Sequence, residues 1–182
     1  MIKLNIGGGY KRIDGYLNVD NDTNCNPDIL VNIETDRIPF EDSTVSRVIA
    51  HHILEHLGEG YFHLLKELYR VCEHGAIIDI RVPHHTHETF YSDPTHRRPI
   101  TVEGLRLFSK KANRKDIAEG GRSSTLGIMF DVDFEIVSYD FVYDSFYDDL
   151  LKTMPYDQLV RLMREANNVA VEVHIVLTVV KE

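Results

Sequence analysis

The sequence lacks three features that would assign it to other classes of protein. It has only two cysteines, Cys25 and Cys72, which are too few for a disulfide framework and are not spaced as metal ligands. No run approaches the ~18–20 apolar residues needed to span a bilayer. The chain enters a strand-like segment at Lys3, with no room for a signal or transit peptide. We therefore expect a cytoplasmic protein that does not bind membranes.

Positive charge is also scarce, except in one segment. The formal net charge of −9 would repel a phosphate backbone, so general nucleic-acid binding is disfavoured. Between His96 and Arg122, however, basic residues outnumber acidic ones. The basic residues are Arg97, Arg98, Arg106, Lys110, Lys111, Arg114, Lys115 and Arg122, and the acidic ones are Glu103, Asp116 and Glu119. This segment either attracts an acidic substrate or is a solvated helix and loop that happen to be basic.

Strand-like and helical segments alternate along the chain, which favours an α/β fold with a mostly parallel sheet. Its length of 182 residues suits one domain with a hydrophobic core. Strands are predicted at 3–7, 16–19, 29–33, 45–50, 76–82, 134–143 and 169–180, and helices at 61–72, after Thr101, and at 156–167. Gly75 is expected to end the first helix. Residues 110–127 show little periodicity and are predicted to form a mobile loop.

Several predicted strands alternate apolar and polar residues, whereas strands covered by helices on both faces would be apolar throughout. The connections among the first four strands are also too short for full helices. We therefore expect reduced helix cover on one face of the sheet, which either faces water or is closed by a homodimer. The polar residues expected to escape burial beneath helices are Lys3, Asn5, Asp79, Arg81 and Glu172.

A glycine turn and a carboxylate mark the most informative part of the chain. Gly7, Gly8 and Gly9 follow the first strand, and glycine lets the backbone turn sharply and approach a ligand closely. Asp20 closes the second strand, where an acidic residue can accept hydrogen bonds from both hydroxyls of a ribose. Ligands of open α/β sheets bind beyond the carboxyl ends of the strands. The sequence therefore predicts a ligand site between the glycine turn and Asp20.

From Leu4 to Ser109 the chain resembles the small S-adenosylmethionine-dependent methyltransferases of the type 11 group, which have the class I fold. The matching segments are LNIGGG (4–9), GYLNVD (15–20), IPFED (38–42), HILEH (52–56) and DPTHRR (93–98), with Gly75 before the fifth strand. The resemblance implies a Rossmann-like class I methyltransferase sheet with an antiparallel final strand. It also implies a single domain over residues 1–182, with a substrate-side cap at about 84–127.

The same resemblance implies S-adenosylmethionine as the cofactor. The implied contacts are Gly7, Gly8 and Gly9 at its methionine part, Asp20 at its ribose, Asn32 and Ile33 at its adenine, and His51 and His52 at the pocket floor. Methyl transfer is an in-line displacement with a good leaving group, so it depends mainly on alignment and the exclusion of water.

The predicted acceptor is small or glycan-like, and acidic if the basic segment contributes to binding. A hydroxyl acceptor requires a base, and histidine has a suitable pKa. His84 and His96 lie beyond the fifth strand and are the candidate bases. The alternative is that these histidines cap turns or bind backbone atoms.

Three other functions remain in competition. A degenerate cofactor-binding protein is favoured by Asn5 and Asn32, which stand where many relatives carry acidic residues. A nicotinamide-dependent oxidoreductase is disfavoured, because the run lacks a glycine three residues further on and no full helix follows. Residues 52–56 also fit the H-x-x-E-H pattern of zinc proteases, but they abut a strand rather than lying well inside a helix. We assign no metal site.

Overall fold

The computed structural model describes residues 1–181, and its strands all belong to one seven-stranded sheet. The strands are β1 (Ile2–Ile6), β2 (Leu17–Asp20), β3 (Ile29–Leu30), β4 (Val45–His51), β5 (Cys72–Pro83), β6 (Phe134–Tyr143) and β7 (Ala170–Val179). Their order across the sheet is β3-β2-β1-β4-β5-β7-β6. The first five strands pair in parallel, and β7 runs antiparallel to both β5 and β6. The predicted mostly parallel sheet with an antiparallel final strand is confirmed.

Helices connect the second half of the sheet. They are α1 (Gly60–Val71), α2 (Glu88–Ser92), α3 (Val102–Arg106), α4 (Lys110–Ala118), α5 (Leu126–Phe130), α6 (Asp148–Leu151) and α7 (Tyr156–Glu165). Between β1 and β4 the only helical element in the described chain is a 3₁₀ turn at Thr23–Cys25. None of the helices within residues 1–181 combines the length and the apolar character needed to cross a membrane.

The core lies between α1 and one face of the sheet. Leu64, Leu65 and Leu68 of α1 are at most 2% exposed, since the 3.6-residue period of the helix brings these positions to one side. They pack in one cluster with Leu4 and Ile80 of the sheet. Each such side chain contributes about 1.5–3 kcal/mol when it is fully buried, so this layer is a major source of stability.

The opposite face of the sheet carries the polar positions, as predicted. The Arg81 side chain is 44% exposed and that of Asp79 is 31% exposed, so neither is buried beneath a helix. Asn5 differs, because it is only 4% exposed. The chain that follows the glycine turn covers Asn5, and its amide donates to the carbonyl of Lys11. The position is therefore closed by a loop rather than by a helix.

Two local predictions were wrong. Part of the predicted loop at 110–127 is α4, which Ser109 caps by accepting a hydrogen bond from the amide of Ala112. Buried Asn113 holds this helix by donating to the carbonyl of Leu107, a polar anchor that hydrophobic periodicity does not detect. Gly75 does not end α1 but lies inside β5 with φ +78°, where the pairing with β4 shifts register.

Candidate functional site at the ends of β1 and β2

The glycine turn and the end of β2 are joined directly by hydrogen bonds. Gly7 and Gly9 have φ of +62° and +51°, a backbone conformation that glycine adopts without strain. The amide of Gly7 donates to the carbonyl of Val19 (2.8 Å), which extends the pairing of the two strands. The amide of Gly9 donates to Oδ2 of Asp20 (2.8 Å). The turn and the carboxylate therefore form one structural unit.

A buried pair of amide side chains supports the turn from below. Nδ2 of Asn5 donates to Oδ1 of Asn18 (3.0 Å) and to the carbonyl of Lys11 (2.9 Å). Nδ2 of Asn18 in turn donates to the carbonyl of Gly9 (2.9 Å). The two side-chain amides thus make three hydrogen bonds, two of them to backbone carbonyls, and these bonds fix the path of the chain around Gly8.

This arrangement explains why position 5 is an amide rather than an acid. In an Asn5→Asp variant, a carboxylate would face the carbonyl of Lys11 and the amide oxygen of Asn18 with no proton to donate. We expect a loss of about 2 kcal/mol of unfolding free energy at pH 8, because two buried acceptors lose their donor. The loss should shrink at pH 5, since burial against two oxygens raises the pKa of the new carboxyl and protonation restores a donor.

Urea unfolding of the wild type and the variant at both pH values would measure this effect. Asn167→Asp is the matched control, because that side chain is exposed and its stability should change equally little at either pH. An Asn5→Asp variant as stable as the wild type at pH 8 would contradict the assigned amide network.

A cleft of about 180 Å³ opens beside the glycine turn. Its lining includes four of the predicted site residues, which are Gly7, Asp20, Asn32 and Ile33. Gly8 and Gly9 belong to the same turn without lining the cleft. A larger groove of about 500 Å³ lies between α7 and β6, and it contains none of the predicted site residues. The cleft at the carboxyl ends of β1 and β2 is therefore the candidate site.

Sequence reasoning assigned no role to several residues of the cleft wall. Glu34 lies there, and its Oε2 accepts a hydrogen bond from the amide of Gly58 (3.0 Å). Ile53, His56 and Leu57 complete that side, and all three follow β4. In the sequence, Ile53 and His56 belong to the HILEH segment and Leu57 follows it directly. The resemblance of this segment to the methyltransferases implied no function for His56.

His51 and His52 lie outside the lining of this cleft. His51 continues the alternation of β4 onto the open face of the sheet, where its Nε2 is 2.6 Å from Oδ1 of Asp79. His52 has φ +54°, which turns its side chain away so that its Nε2 lies 2.8 Å from Oε2 of Glu172. The carboxylate of Glu55, together with that of Glu172, raises the pKa of His52. Residues 54–56 form a 3₁₀ turn, so the helix that a zinc protease would need is not formed.

His84 occupies a different pocket from the cleft. It is 6% exposed, and this pocket lies beside Ile100, Thr101 and Phe141. Burial, with a smaller contribution from the neighbouring His85 and His87, lowers the pKa of His84 to about 4. The neutral ring is held by Oγ1 of Thr86, 2.9 Å from its Nδ1.

This low pKa makes a pH-dependent contribution to stability. In the unfolded chain the pKa of His84 returns to about 6.5, so below that pH the unfolded state binds the additional proton. Stability should therefore fall by up to about 3 kcal/mol as the pH decreases from 6.5 to 4. A His84→Asn variant should show a shallower fall in urea unfolding over this range, whereas His74→Asn, at an exposed position, should follow the wild type. Identical slopes in all three proteins would contradict the assignment.

His96, the second candidate base, lies next to the cleft. Its Nδ1 is 2.7 Å from the carbonyl oxygen of Phe90, and its ring stacks on that of Phe90. The ring centroids of His96 and His56 are 4.7 Å apart, and His56 lines the cleft. Of the two histidines proposed from the sequence, the fold brings only His96 to this region.

Comparison with known proteins identifies the fold. No family model and no curated sequence matches the chain. A SAM dependent methyltransferase from Archaeoglobus fulgidus superposes with a TM-score of 0.64 at 16% identity, over 97% of this chain and 85% of that one. A SAM-dependent methyltransferase from Methanosarcina mazei gives 0.58 at 13% identity, over 99% and 92%. The cyclase SpnF gives 0.54 at 13% identity, over 99% and 75%.

These likenesses show that the chain has the Rossmann-like fold of the class I methyltransferases. They do not by themselves assign a reaction, since a protein named as a cyclase has the same fold and function resides in sites rather than folds.

Proposed function

We propose that this chain, which has the class I methyltransferase fold, is an S-adenosylmethionine-dependent methyltransferase that binds its cofactor in the cleft beside Gly7 and Asp20. One observation carries the proposal. The carboxylate that ends β2 and the glycine turn that ends β1 meet at the same cleft, with Oδ2 of Asp20 2.8 Å from the amide of Gly9.

The residues of the cleft fit this cofactor chemically. A Cβ at Gly7 would lie 2.5 Å from the side chain of Ile53, so glycine at this position lets Ile53 pack against the turn and form the cleft wall beside it. Asp20 offers carboxylate lone pairs to the ribose hydroxyls. Ile33 is 7% exposed and provides an apolar contact for a purine ring, beside the polar side chain of Asn32. When bound, the cofactor supplies an electrophilic methyl group on a sulfonium.

The contribution of the protein is then to orient the reactants and exclude water. We propose that Asp20 holds the ribose end and that Ile53 and Leu57 close the wall between the cofactor and solvent. The substrate would enter on the side of His56 and His96. His84 is a poor base near pH 7 because its pKa is about 4, and it lies in a different pocket, so we propose no proton transfer to it.

The acceptor is proposed to be small or glycan-like and acidic, bound under a cap formed by residues 84–127. Much of the basic segment is already engaged within the protein. Lys110 pairs with Asp131 (2.6 Å), and the guanidinium of Arg98 lies 4.5 Å from the ring centre of Tyr61. Arg97 follows His96, and its guanidinium lies beside Gly58 near Glu34 of the cleft wall. We propose Arg97 as the residue that attracts an acidic acceptor.

A degenerate, non-catalytic protein receives less support than the sequence suggested. Asn5 was one of the two residues that favoured it, yet Asn5 supports the glycine turn through Asn18 and Lys11 rather than facing the cleft. Its amide is therefore explained by structure and is not evidence of lost activity. The proposed cytoplasmic location fits the two cysteines, which are both free and buried.

Calorimetric titration of the purified chain with S-adenosylmethionine and S-adenosylhomocysteine would test the proposal. Radiolabelled methyl transfer to a panel of small acidic and glycan-like hydroxyl compounds would then identify the acceptor, with neutral analogues of the same compounds as controls. A chain that binds neither cofactor form contradicts the proposal. Binding without transfer to any acceptor would instead indicate the non-catalytic protein.

A further inference from the structure

We propose that Glu55, His56 and His96 form a divalent metal site, with zinc as the preferred ion. One ligand atom from each of these side chains lies within 4.8 Å of the other two. Two imidazoles and one carboxylate form the ligand set of zinc sites that keep a coordination position open for water or substrate. His96 lies on a loop that the fold brings next to the HILEH segment. This third ligand is therefore far from the other two in sequence, and the three do not form a short motif that sequence analysis could recognise.

The carboxylate of Glu55 is buried with no hydrogen bond and only one long ion-pair contact. The side chain is 1% exposed, and within the described chain neither of its oxygens accepts a hydrogen bond. The nearest imidazole nitrogen in an ion-pair contact is Nδ1 of His52, 3.5 Å from Oε1. Removing a carboxylate from water costs several kcal/mol, and one 3.5 Å contact with a half-exposed imidazole offsets little of that cost. A bound cation would supply a closer partner.

The backbone holds Glu55 in this position. Its carbonyl accepts hydrogen bonds from the amides of Arg97 (2.8 Å) and Arg98 (3.3 Å). The same two bonds fix the loop that presents His96. Loop and turn are therefore tied together at the point where the three side chains converge.

The hydrogen bonds around both histidines leave one nitrogen of each available to a metal. Oγ1 of Thr95 donates to Oδ1 of Asp93 (2.6 Å), so it accepts from Nδ1–H of His56 (2.8 Å). Nδ1–H of His96 donates to the carbonyl of Phe90 (2.7 Å). Both protons then lie on Nδ1, and each Nε2 keeps its lone pair. Zinc-binding histidines are oriented in the same way, by donating their other N–H to an acceptor.

The charge around the cluster also favours a cation. Oδ2 of Asp93 lies 3.9 Å from Nε2 of His96, which adds a second carboxylate to that of Glu55. Ligand atoms of a tetrahedral zinc ion, with bonds of about 2.0–2.1 Å, lie about 3.3 Å apart. Since the ligand atoms already lie within 4.8 Å of one another, the three side chains would need to close by at most about 1.5 Å when the ion binds. His56 lines the proposed cofactor cleft, so the open coordination position would lie at the substrate side.

Zinc titration of the chelator-stripped, full-length chain against a chromophoric competitor would test the site, with no methyl-donor cofactor present. We expect one equivalent of zinc, with affinity reduced by about 100-fold or more in His56→Ala and in His96→Ala. Thr95→Val should reduce it by about 10-fold, because it removes only the acceptor that orients His56. His74→Ala is the matched control, an exposed histidine whose Nδ1 contacts Lys181, and its affinity should equal that of the wild type.

Cobalt provides a second measurement, and its first part uses only the wild type. Co²⁺ added to the wild type should give the visible absorption of a four- or five-coordinate ion, and Glu55→Gln, which keeps the shape of the side chain, should lose it. Equal zinc affinity in the wild type and His56→Ala, or no zinc binding at micromolar concentration, would overturn the proposal. The metal site and the proposed function can be tested independently. Binding of zinc without binding of S-adenosylhomocysteine would support the metal site and contradict the methyltransferase assignment.

Discussion

Replacement of Asp20 by Ala should lower the affinity of the chain for S-adenosylmethionine and S-adenosylhomocysteine by about 100-fold or more. Hydrogen bonds to a charged group contribute about 1.5–3 kcal/mol each, and a ribose offers two hydroxyls to one carboxylate. Two such bonds amount to at least about 3 kcal/mol, which corresponds to about a 100-fold change in Kd. Both forms of the cofactor contain the same ribose, so both affinities should fall together.

The carboxylate of Asp20 is already held in place before any ligand binds. Oδ2 accepts from the amide of Gly9 (2.8 Å), and Oδ1 accepts from the amide of Asp22 (3.0 Å). Each carboxylate oxygen has two lone pairs, so each retains one for a hydroxyl. Little side-chain entropy remains to be lost on binding, and this pre-organisation is why a single residue should have so large an effect.

Asp22→Ala is the matched control for this experiment. Asp22 carries the same charge two residues away, but it caps the 3₁₀ turn by accepting from the amide of Asn24 and does not line the cleft. Calorimetry on this variant should give a Kd within about twofold of the wild type, since it leaves the cleft unchanged. If Asp20→Ala, shown by its melting curve to be folded, binds S-adenosylhomocysteine like the wild type, the ligand does not lie where we place it.

The part of the candidate site nearest the sheet could be predicted from local sequence patterns. A glycine run at the end of one strand and an acid at the end of the next fall together in any sheet that pairs β1 with β2 in parallel. The open face was also predictable, because links without room for helices leave polar positions such as Arg81 and Asp79 beside water. These inferences need only the period of a strand and the length of a connection.

The features that the sequence did not predict depend on contacts between segments that are distant in the chain. His51 contacts Asp79 on the neighbouring strand, a pairing that a motif match does not reveal. Helix α4 is anchored by a buried asparagine rather than by an apolar stripe, so periodicity failed there. The cluster of Glu55, His56 and His96 forms because backbone bonds tie the loop at Arg97 to Glu55. Such pairings follow from tertiary structure, and a sequence read locally does not encode them.

A Gly8→Ala substitution should destabilise the protein by about 4 kcal/mol, which lowers Tm by about 8–16 °C for a chain of this size. A Cβ at this position would lie 1.9 Å from Oδ1 of Asn18 and 2.2 Å from Nδ2 of Asn5. Neither amide can move aside without cost, because they are 1% and 4% exposed and bind each other and the surrounding carbonyls. Each buried polar group that loses its partner costs about 1–3 kcal/mol.

Gly9→Ala separates this steric effect from backbone strain. Gly9 has φ +51°, and a Cβ added there would meet no atom within 4 Å, so alanine should cost only the left-handed conformation, about 1–2 kcal/mol. Gly8 is not among the residues with positive φ, and its backbone therefore accepts alanine, leaving the clash with the two amides as the source of the loss. Thermal unfolding without cofactor should rank the wild type above Gly9→Ala, and Gly9→Ala above Gly8→Ala. The reverse order would mean that the turn is constrained by its dihedral angles, and that the amide pair beneath it yields readily to an added methyl group.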